Sequence, residues 1–165
     1  MLAVLYALRY NSPETYLCHL RGSLTMELLN CINYLLTGAQ HEVFQLMSTR
    51  LAPCDVTPGQ YGVLACLWDG NASSPKDIAH ILGLETPTVS GILDRMQKKG
   101  FIEREIDPED RRCVRVRLSR KGEELKVPVK QIVDEVNQEI WNLFSAEDGK
   151  TLSNCLRTIM QRNTL

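Results

Sequence analysis

The middle of the chain contains three hydroxyl–proline pairs at close intervals: Thr57-Pro58, Ser74-Pro75 and Thr86-Pro87. A hydroxyl at the N-cap accepts a hydrogen bond from an otherwise unpartnered backbone N–H, and proline at the first helical position has no N–H to lose. Each pair therefore predicts a helix start, and the helices are expected over 58–69, 75–82 and 87–99. Because Gly83 ends the second helix and only two residues separate it from Thr86, these last two helices are predicted to form a helix-turn-helix.

The helix over 87–99 has one apolar face and one face without large apolar groups. The residues predicted to be buried follow the i, i+3, i+4, i+7 spacing of a helix: Val89, Ile92, Leu93 and Met96. The opposite face and its flanks carry small or polar residues: Pro87, Thr88, Ser90, Gly91, Asp94, Arg95 and Lys98. A helix that enters a groove closely needs such a face, although an ordinary solvated face has a similar composition.

After Gly100 the hydrophobic period changes to two, which predicts a pair of strands over 101–106 and 113–118 joined by the turn DPEDRR. Val114, Val116 and Leu118 would face inward, which leaves Arg115 and Arg117 outward. Between Arg111 and Lys121 there are six cations and no acid. We therefore interpret this hairpin as a charged wing beside the helix-turn-helix.

The charge distribution favours a polyanionic partner for this central part. Residues 75–126 carry 12 Lys/Arg and 10 Asp/Glu, whereas the rest of the chain carries 7 and 10. Cations at a wing tip can neutralise DNA phosphates or enter a narrow minor groove, and Arg111 and Arg112 occupy this tip. Asp110 is expected to orient a neighbouring guanidinium. A solvated turn of mixed charge is the alternative interpretation.

Long amphipathic segments flank the winged core, so the predicted fold class is mainly α with a small β-wing. One helix is expected from Thr25 to about Leu51, a second from Ser119 to about Phe144 with a kink at Pro128, and a third from Ser145 to about Gln161. One small lobe cannot bury all of their apolar stripes, which indicates a homodimer. Residues 1–24 form an extension of unknown role.

Several other classes of protein are not favoured. The six cysteines and three histidines lack metal-site spacing, and no nucleophile–base pair or phosphate loop can be assembled, so we expect neither a metal nor an enzyme. No apolar run approaches the ~20 residues that span a bilayer, and no signal peptide is apparent. We therefore expect a cytoplasmic protein without membrane contacts.

The segments "VTPGQYGVL", "TPTVSGILDRMQKKGFIER" and "DPEDRRCVRVRLSRKG" resemble the multiple-antibiotic-resistance regulator (MarR) family over about residues 25–163. The resemblance implies an obligate homodimer with dimerisation helices over 25–52 and 120–163, a winged helix-turn-helix over 57–118, palindromic double-stranded DNA, and repression that a small ligand relieves. The implied DNA contacts are Thr86, Pro87, Thr88, Ser90, Gly91, Arg95, Lys98, Asp110, Arg111, Arg112 and Arg115. Arg112 would be the minor-groove arginine, held by Asp110. Gly91 departs from the larger polar residue of many members, so either one base contact is missing or the helix approaches more closely.

The resemblance also implies an effector, expected to be an aromatic or phenolic anion, and no cofactor. Candidate lining residues are His41, Tyr61, Trp68 and Arg95, although His41, Tyr61 and Trp68 are also ordinary structural residue types. A redox-sensing regulator is an alternative, with Cys31 as its thiol. However, the family's thiol position aligns with Asn33, and Cys31 has no basic neighbour to lower its pKa. A winged-helix module for protein–protein contact is the other alternative.

Overall fold

The structure is a computed structural model, and it describes residues 26–70, 72–106 and 114–161. The chain divides into two compact units, Met1–Glu42 and Val43–Leu165. The predicted fold class is confirmed, because the described residues are mostly helical and contain one two-stranded antiparallel sheet. No helix among them is both long enough and apolar enough to cross a membrane.

The first unit contains helix α1 (Met26–Leu29) and the beginning of helix α2 (Ile32–Leu51). A single helix from Thr25 was the wrong prediction here, because the structure interrupts the helix at Asn30 and Cys31. Asparagine side chains compete for backbone hydrogen bonds and favour helix ends. Leu28, Ile32 and Leu35 are exposed large apolar residues of this unit.

The second unit is built around helices α3 (Pro58–Trp68), α4 (Pro75–Leu82) and α5 (Thr86–Lys98). The predicted buried face of α5 is confirmed, since Val89, Ile92, Leu93 and Met96 are each 7% exposed or less. They pack with residues of the neighbouring helices into one hydrophobic core: Leu51, Val63, Leu64 and Ile78. This packing fixes which side of α5 remains available to a partner.

Two of the three predicted helix caps are confirmed. Thr57 accepts a hydrogen bond from the Gln60 backbone N–H and forms a reciprocal capping box with it, and Ser74 accepts one from the Asp77 N–H. The third prediction was wrong: Glu85 is the N-cap of α5 and makes no side-chain cap bond, whereas Thr86 is already helical. The turn after the left-handed Gly83 is so short that the chain re-enters the helix one residue early.

Helix α4 buries less than its sequence indicates. The sequence predicts that Ile78, Ala79, Ile81 and Leu82 all face inward. Ile78 and Ala79 are buried, but Ile81 is 48% exposed and Leu82 is only half-buried. The prediction for Ile81 was wrong because an eight-residue helix that packs on α3 and α5 covers only one side.

The wing consists of strands β1 (Ile102–Ile106) and β2 (Val114–Leu118), paired with Arg104 opposite Val116 and Ile106 opposite Val114. Its inner face is buried only at the base, where Ile102 and Val116 lie, while Ile106 is 67% exposed and Val114 42%. The Val116 N–H also donates to the carbonyl of Ser73, which ties the wing to the loop before α4. The predicted turn over 107–112 and Cys113, the first residue of the predicted second strand, lie outside the described residues.

The helix predicted from Ser119 to Phe144 is divided into α6 (Arg120–Glu124) and α7 (Lys126–Trp141). Ser119 caps α6 as predicted, and the interruption at Leu125 lies three residues before Pro128, the residue at which a kink was predicted. Proline has no N–H for the Glu124 carbonyl, and its ring crowds that carbonyl. Helix α8 (Ala146–Gln161) begins after Ser145, as predicted, and contains no buried residue.

Candidate nucleic-acid interface

Helix α5 presents the residues that were predicted to face DNA. Thr86, Pro87, Thr88, Arg95 and Lys98 are exposed, and Ser90 and Gly91 are half-buried. These residues form the part of the α5 surface that the hydrophobic core does not cover. Within the described part of the chain, Arg95 and Lys98 make no ion pair, so both cations are available to phosphates.

Gly91 has no side chain and therefore leaves a gap in the middle of the exposed surface of α5. A Cβ added at Gly91 would meet only the Nη1 of Arg95, at 3.8 Å, and no backbone atom. The Arg95 guanidinium therefore lies close to the gap that glycine leaves. A helix with this profile can approach the edges of base pairs more closely than one with a long side chain at position 91.

The acid on this surface, Asp94, is paired with a wing residue. Arg104 of β1 places its Nη2 2.8 Å from Asp94 Oδ1 and donates from the same nitrogen to the Ser90 carbonyl at 3.3 Å. Sequence analysis did not identify Arg104 as a functional residue. It is the charged residue between Ile102 and Ile106 on the inner face of β1, which was the signal available in the sequence.

The wing arginines differ in their surroundings. Arg117 is exposed, as predicted, and pairs with Glu105 at 2.7 Å on the outer face. Arg115 is half-buried, although the alternation predicted an outward position. Asp110, Arg111 and Arg112, which were predicted to form the tip, lie outside the described residues.

Two further cations hold the C-terminal end of α5 rather than its exposed face. Lys99 contacts Asp55 through the carboxylate at 2.8 Å and the backbone carbonyl at 2.6 Å. Lys121 donates to the Lys99 carbonyl at 3.0 Å, and both ammonium groups lie over the Phe101 ring. The end of α5 is thereby tied to the loop before α3 and to α6.

The predicted effector residues occupy different environments. In the first unit, His41 is exposed. In the second unit, Tyr61 is half-buried, and burial raises its pKa, with smaller contributions from Asp134 and Asp69. Trp68 is 8% exposed, and its indole N–H donates to the Gly122 carbonyl at 3.0 Å, which is the environment of a structural core residue.

A cavity of about 350 Å³ lies between the end of α7 and helix α8, and none of the predicted effector residues lines it. Its walls combine an aromatic ring with small residues and two cations: Trp141, Ser145, Ala146, Gly149, Lys150, Ser153 and Arg157. Sequence analysis missed this set because its members come from two helices whose packing is not visible in the spacing.

The described cysteines differ in accessibility. Cys31 is exposed at the interruption between α1 and α2, Cys155 is exposed on α8, and Cys66 is buried. Burial is the main cause of the raised pKa of the Cys66 thiol. Among the described residues, no group of three or more His, Cys, Asp or Glu side chains could hold a metal ion.

Comparison with known proteins shows which protein family the chain is similar to. The model of the MarR family matches residues 56–114, which contain α3, α4, α5 and the first strand of the wing, β1. The chain is 27% identical over 117 residues to the multiple antibiotic resistance protein MarR of Escherichia coli (strain K12), covering 70% of this chain and 81% of that protein. It is 30% identical over 138 residues to the organic hydroperoxide resistance transcriptional regulator of Bacillus subtilis (strain 168), covering 82% and 91%.

A solved structure has the same fold. The transcriptional repressor CouR, bound to a 23-mer DNA duplex, superposes with a TM-score of 0.75 and 30% identity, covering 84% of this chain and 99% of that one. The helix-turn-helix, the wing and these relatives agree, and the chain belongs to the MarR family of transcriptional regulators.

Proposed function

We propose that the protein is a sequence-specific transcriptional regulator that binds a palindromic operator as a homodimer and represses transcription until an effector binds. The observation that carries this proposal is the exposed surface of α5, where polar side chains surround the open position at Gly91. The major groove of B-DNA admits one α-helix and displays a distinct pattern of donors and acceptors for each base pair. The DNA-bound repressor CouR, similar over 84% of this chain, supports the same partner.

The proposed contacts fall into two classes. Thr88, Ser90 and Arg95 read base edges or adjacent phosphates from α5, and Thr86, Pro87 and Lys98 border this surface. The wing supplies Arg111, Arg112 and Arg115, with Arg112 entering the minor groove and Asp110 orienting its guanidinium. Base contacts specify the sequence, whereas phosphate contacts position the protein along the duplex.

The proposal of a homodimer is supported by exposed apolar residues of the second unit. Large side chains at the end of α7 and along α8 are exposed: Trp141, Leu143, Phe144, Ile159 and Met160. Several large apolar side chains exposed on neighbouring segments are typical of an interface. A two-fold dimer would place its two α5 helices roughly 34 Å apart, the length of one DNA turn.

The first experiment is to select bound fragments from the organism's own DNA and to measure their affinity by fluorescence anisotropy at several salt concentrations. Steep salt dependence supports phosphate contacts, whereas a protein–protein module would show weak binding without sequence preference. Thr88→Ala or Arg95→Ala should change the preference at individual base pairs by about 1–3 kcal/mol. Absence of any preferred sequence for the wild-type protein would refute the proposal.

Arg112→Ala tests the wing. It should weaken binding to many sequences and lower the salt slope by about one unit, because one phosphate contact is lost. Lys130→Ala is the matched control, since Lys130 pairs with Asp69 at the end of α3 and neither residue is among the proposed DNA contacts. Unchanged affinity in Arg112→Ala would rule out the wing-tip assignment.

The effector is proposed to be a small aromatic or phenolic anion, with His41, Tyr61 and Trp68 as candidate residues and no cofactor. A repressor must reach chromosomal DNA, so the proposed location is the cytoplasm. Cysteine-based sensing is the second candidate, because Cys31 is exposed and one relative is named for organic hydroperoxide resistance. If hydroperoxide releases DNA from the wild type but not from Cys31→Ser, the redox function replaces the ligand-responsive one.

A further inference from the structure

Arg104 joins the wing to the exposed side of α5. Its side chain is 21% exposed, and its Nη2 contacts both Asp94 Oδ1, at 2.8 Å, and the Ser90 carbonyl, at 3.3 Å. Ser90 and Asp94 are four residues apart, which is one helical turn. A single guanidinium therefore spans one turn of the helix proposed to enter the major groove.

The chemistry of this contact explains why the residue is an arginine. A planar guanidinium presents several donors in a fixed geometry, whereas a lysine ammonium is a point charge on a flexible stem. The Nε of Arg104 is buried and has no hydrogen-bond partner in the described structure. The charge of Arg104 is therefore compensated mainly through its Nη2 contacts, which ties the side chain to Asp94 and Ser90.

Without its ion pair to Arg104, the carboxylate of Asp94 would be unfavourable on a helix surface that is proposed to contact DNA. Its side chain is 58% exposed on the same helix as Arg95 and Lys98, where a carboxylate repels phosphate. The ion pair neutralises it while the two α5 cations keep their charge. An ion pair whose carboxylate is this exposed is screened by solvent and contributes little to stability, typically about 0–1 kcal/mol. The position of this ion pair, between α5 and the wing, is therefore better explained by an effect on the relative orientation of these two elements than by a contribution to folding stability.

We propose that Arg104 is a positioning residue that sets the orientation of the wing relative to α5, so that base contacts from the helix and phosphate contacts from the wing are made at a defined spacing. This inference rests on the proposed DNA-binding function and adds a residue that need not touch DNA. Its consequence is that Arg104 controls the ratio of operator affinity to non-specific affinity, rather than affinity in general.

The test compares Arg104→Met, Arg104→Lys and Asp94→Asn with the wild type. Each protein is titrated by anisotropy with the selected operator and with a scrambled duplex of equal length, and its thermal unfolding is measured. Arg117→Met is the matched control, because Arg117 lies on the other strand of the wing and pairs with Glu105. A general loss of positive charge would affect both arginine-to-methionine variants equally.

Arg104→Met and Arg104→Lys are expected to lower the operator-to-scrambled affinity ratio by about tenfold, within the range of coupled neighbouring residues, while the midpoint of unfolding changes little. Asp94→Asn should lower the ratio as well, because it leaves the Arg104 cation without its partner and favours binding to any DNA. The double variant Asp94→Asn/Arg104→Met should be no worse than Arg104→Met alone.

Two results would overturn the inference without touching the proposed function. One is a wild-type preference for the operator that both Arg104 variants retain in full. The other is an Asp94→Asn protein that binds operator and scrambled duplex more tightly by the same factor, which would mean that Asp94 acts only as a repelling charge. A wild-type protein without sequence preference would instead refute the proposed function itself.

Discussion

Among the glycines in the described part of the chain, Gly122 is the one where an added methyl group would meet the closest backbone atom. It lies in α6 and is buried, and a Cβ built there would overlap the backbone oxygen of Phe101 and meet Leu118 Cδ2 at 3.1 Å. The Phe101 oxygen also accepts a hydrogen bond from the Ser119 N–H. The Gly122 carbonyl accepts the indole N–H of Trp68. Gly122→Ala therefore disturbs the junction between the end of α5, the wing and the core.

The expected cost follows from three contributions. Overpacking against a backbone atom costs about 1–3 kcal/mol, and weakening of the Trp68 hydrogen bond adds about 1 kcal/mol. The better helix propensity of alanine offsets up to about 1 kcal/mol. The free energy of unfolding should therefore fall by about 1–3 kcal/mol, which is a substantial share of the stability of an ordinary domain.

The assay is guanidinium chloride unfolding followed by far-UV circular dichroism, at one fixed protein concentration because a dimer unfolds in a concentration-dependent way. Gly91→Ala is the matched control, since its Cβ would meet only Arg95 Nη1 at 3.8 Å. That variant should gain about 0.5–1 kcal/mol from helix propensity. The reasoning is refuted if Gly122→Ala is as stable as the wild type, or if both variants lose stability equally.

Three further changes test other contacts of the second unit. Thr57→Ala removes the hydroxyl that accepts the Gln60 N–H and should cost about 1 kcal/mol in chemical unfolding, whereas Thr57→Ser should be close to wild type. Trp68→Phe leaves the Gly122 carbonyl without its indole donor and should cost about 1–3 kcal/mol, measured in the same way. The raised pKa of Tyr61 means that the folded protein holds the phenolic proton more tightly than the unfolded chain. The free energy of unfolding should therefore be unaffected by this group below pH ~10 and decline as the pH rises above that value, and Tyr61→Phe should make the decline shallower.

Local features could be predicted from the residues because each depends on only a few neighbours in the chain. The hydroxyls of Thr57 and Ser74 reach backbone N–H groups three residues ahead, so the cap is encoded within one turn. The buried stripe of α5 follows from helical periodicity, and with it the face proposed for DNA. The alternation in the wing predicted both strands to within one residue and the burial of Val116, whereas Val114, also predicted to face inward, is 42% exposed.

Contacts between residues that are far apart in the sequence could be identified only from the tertiary structure. The pairing of Arg104 with Asp94, the anchoring of Lys99 on Asp55, and the approach of Gly122 to Phe101 each join residues from different elements. The same limit explains why Ile81 was expected to be buried, since periodicity identifies an apolar residue but not whether a neighbouring element covers it. A sequence pattern specifies the faces of a helix or strand, whereas the packing of whole elements determines which side chains of those faces meet.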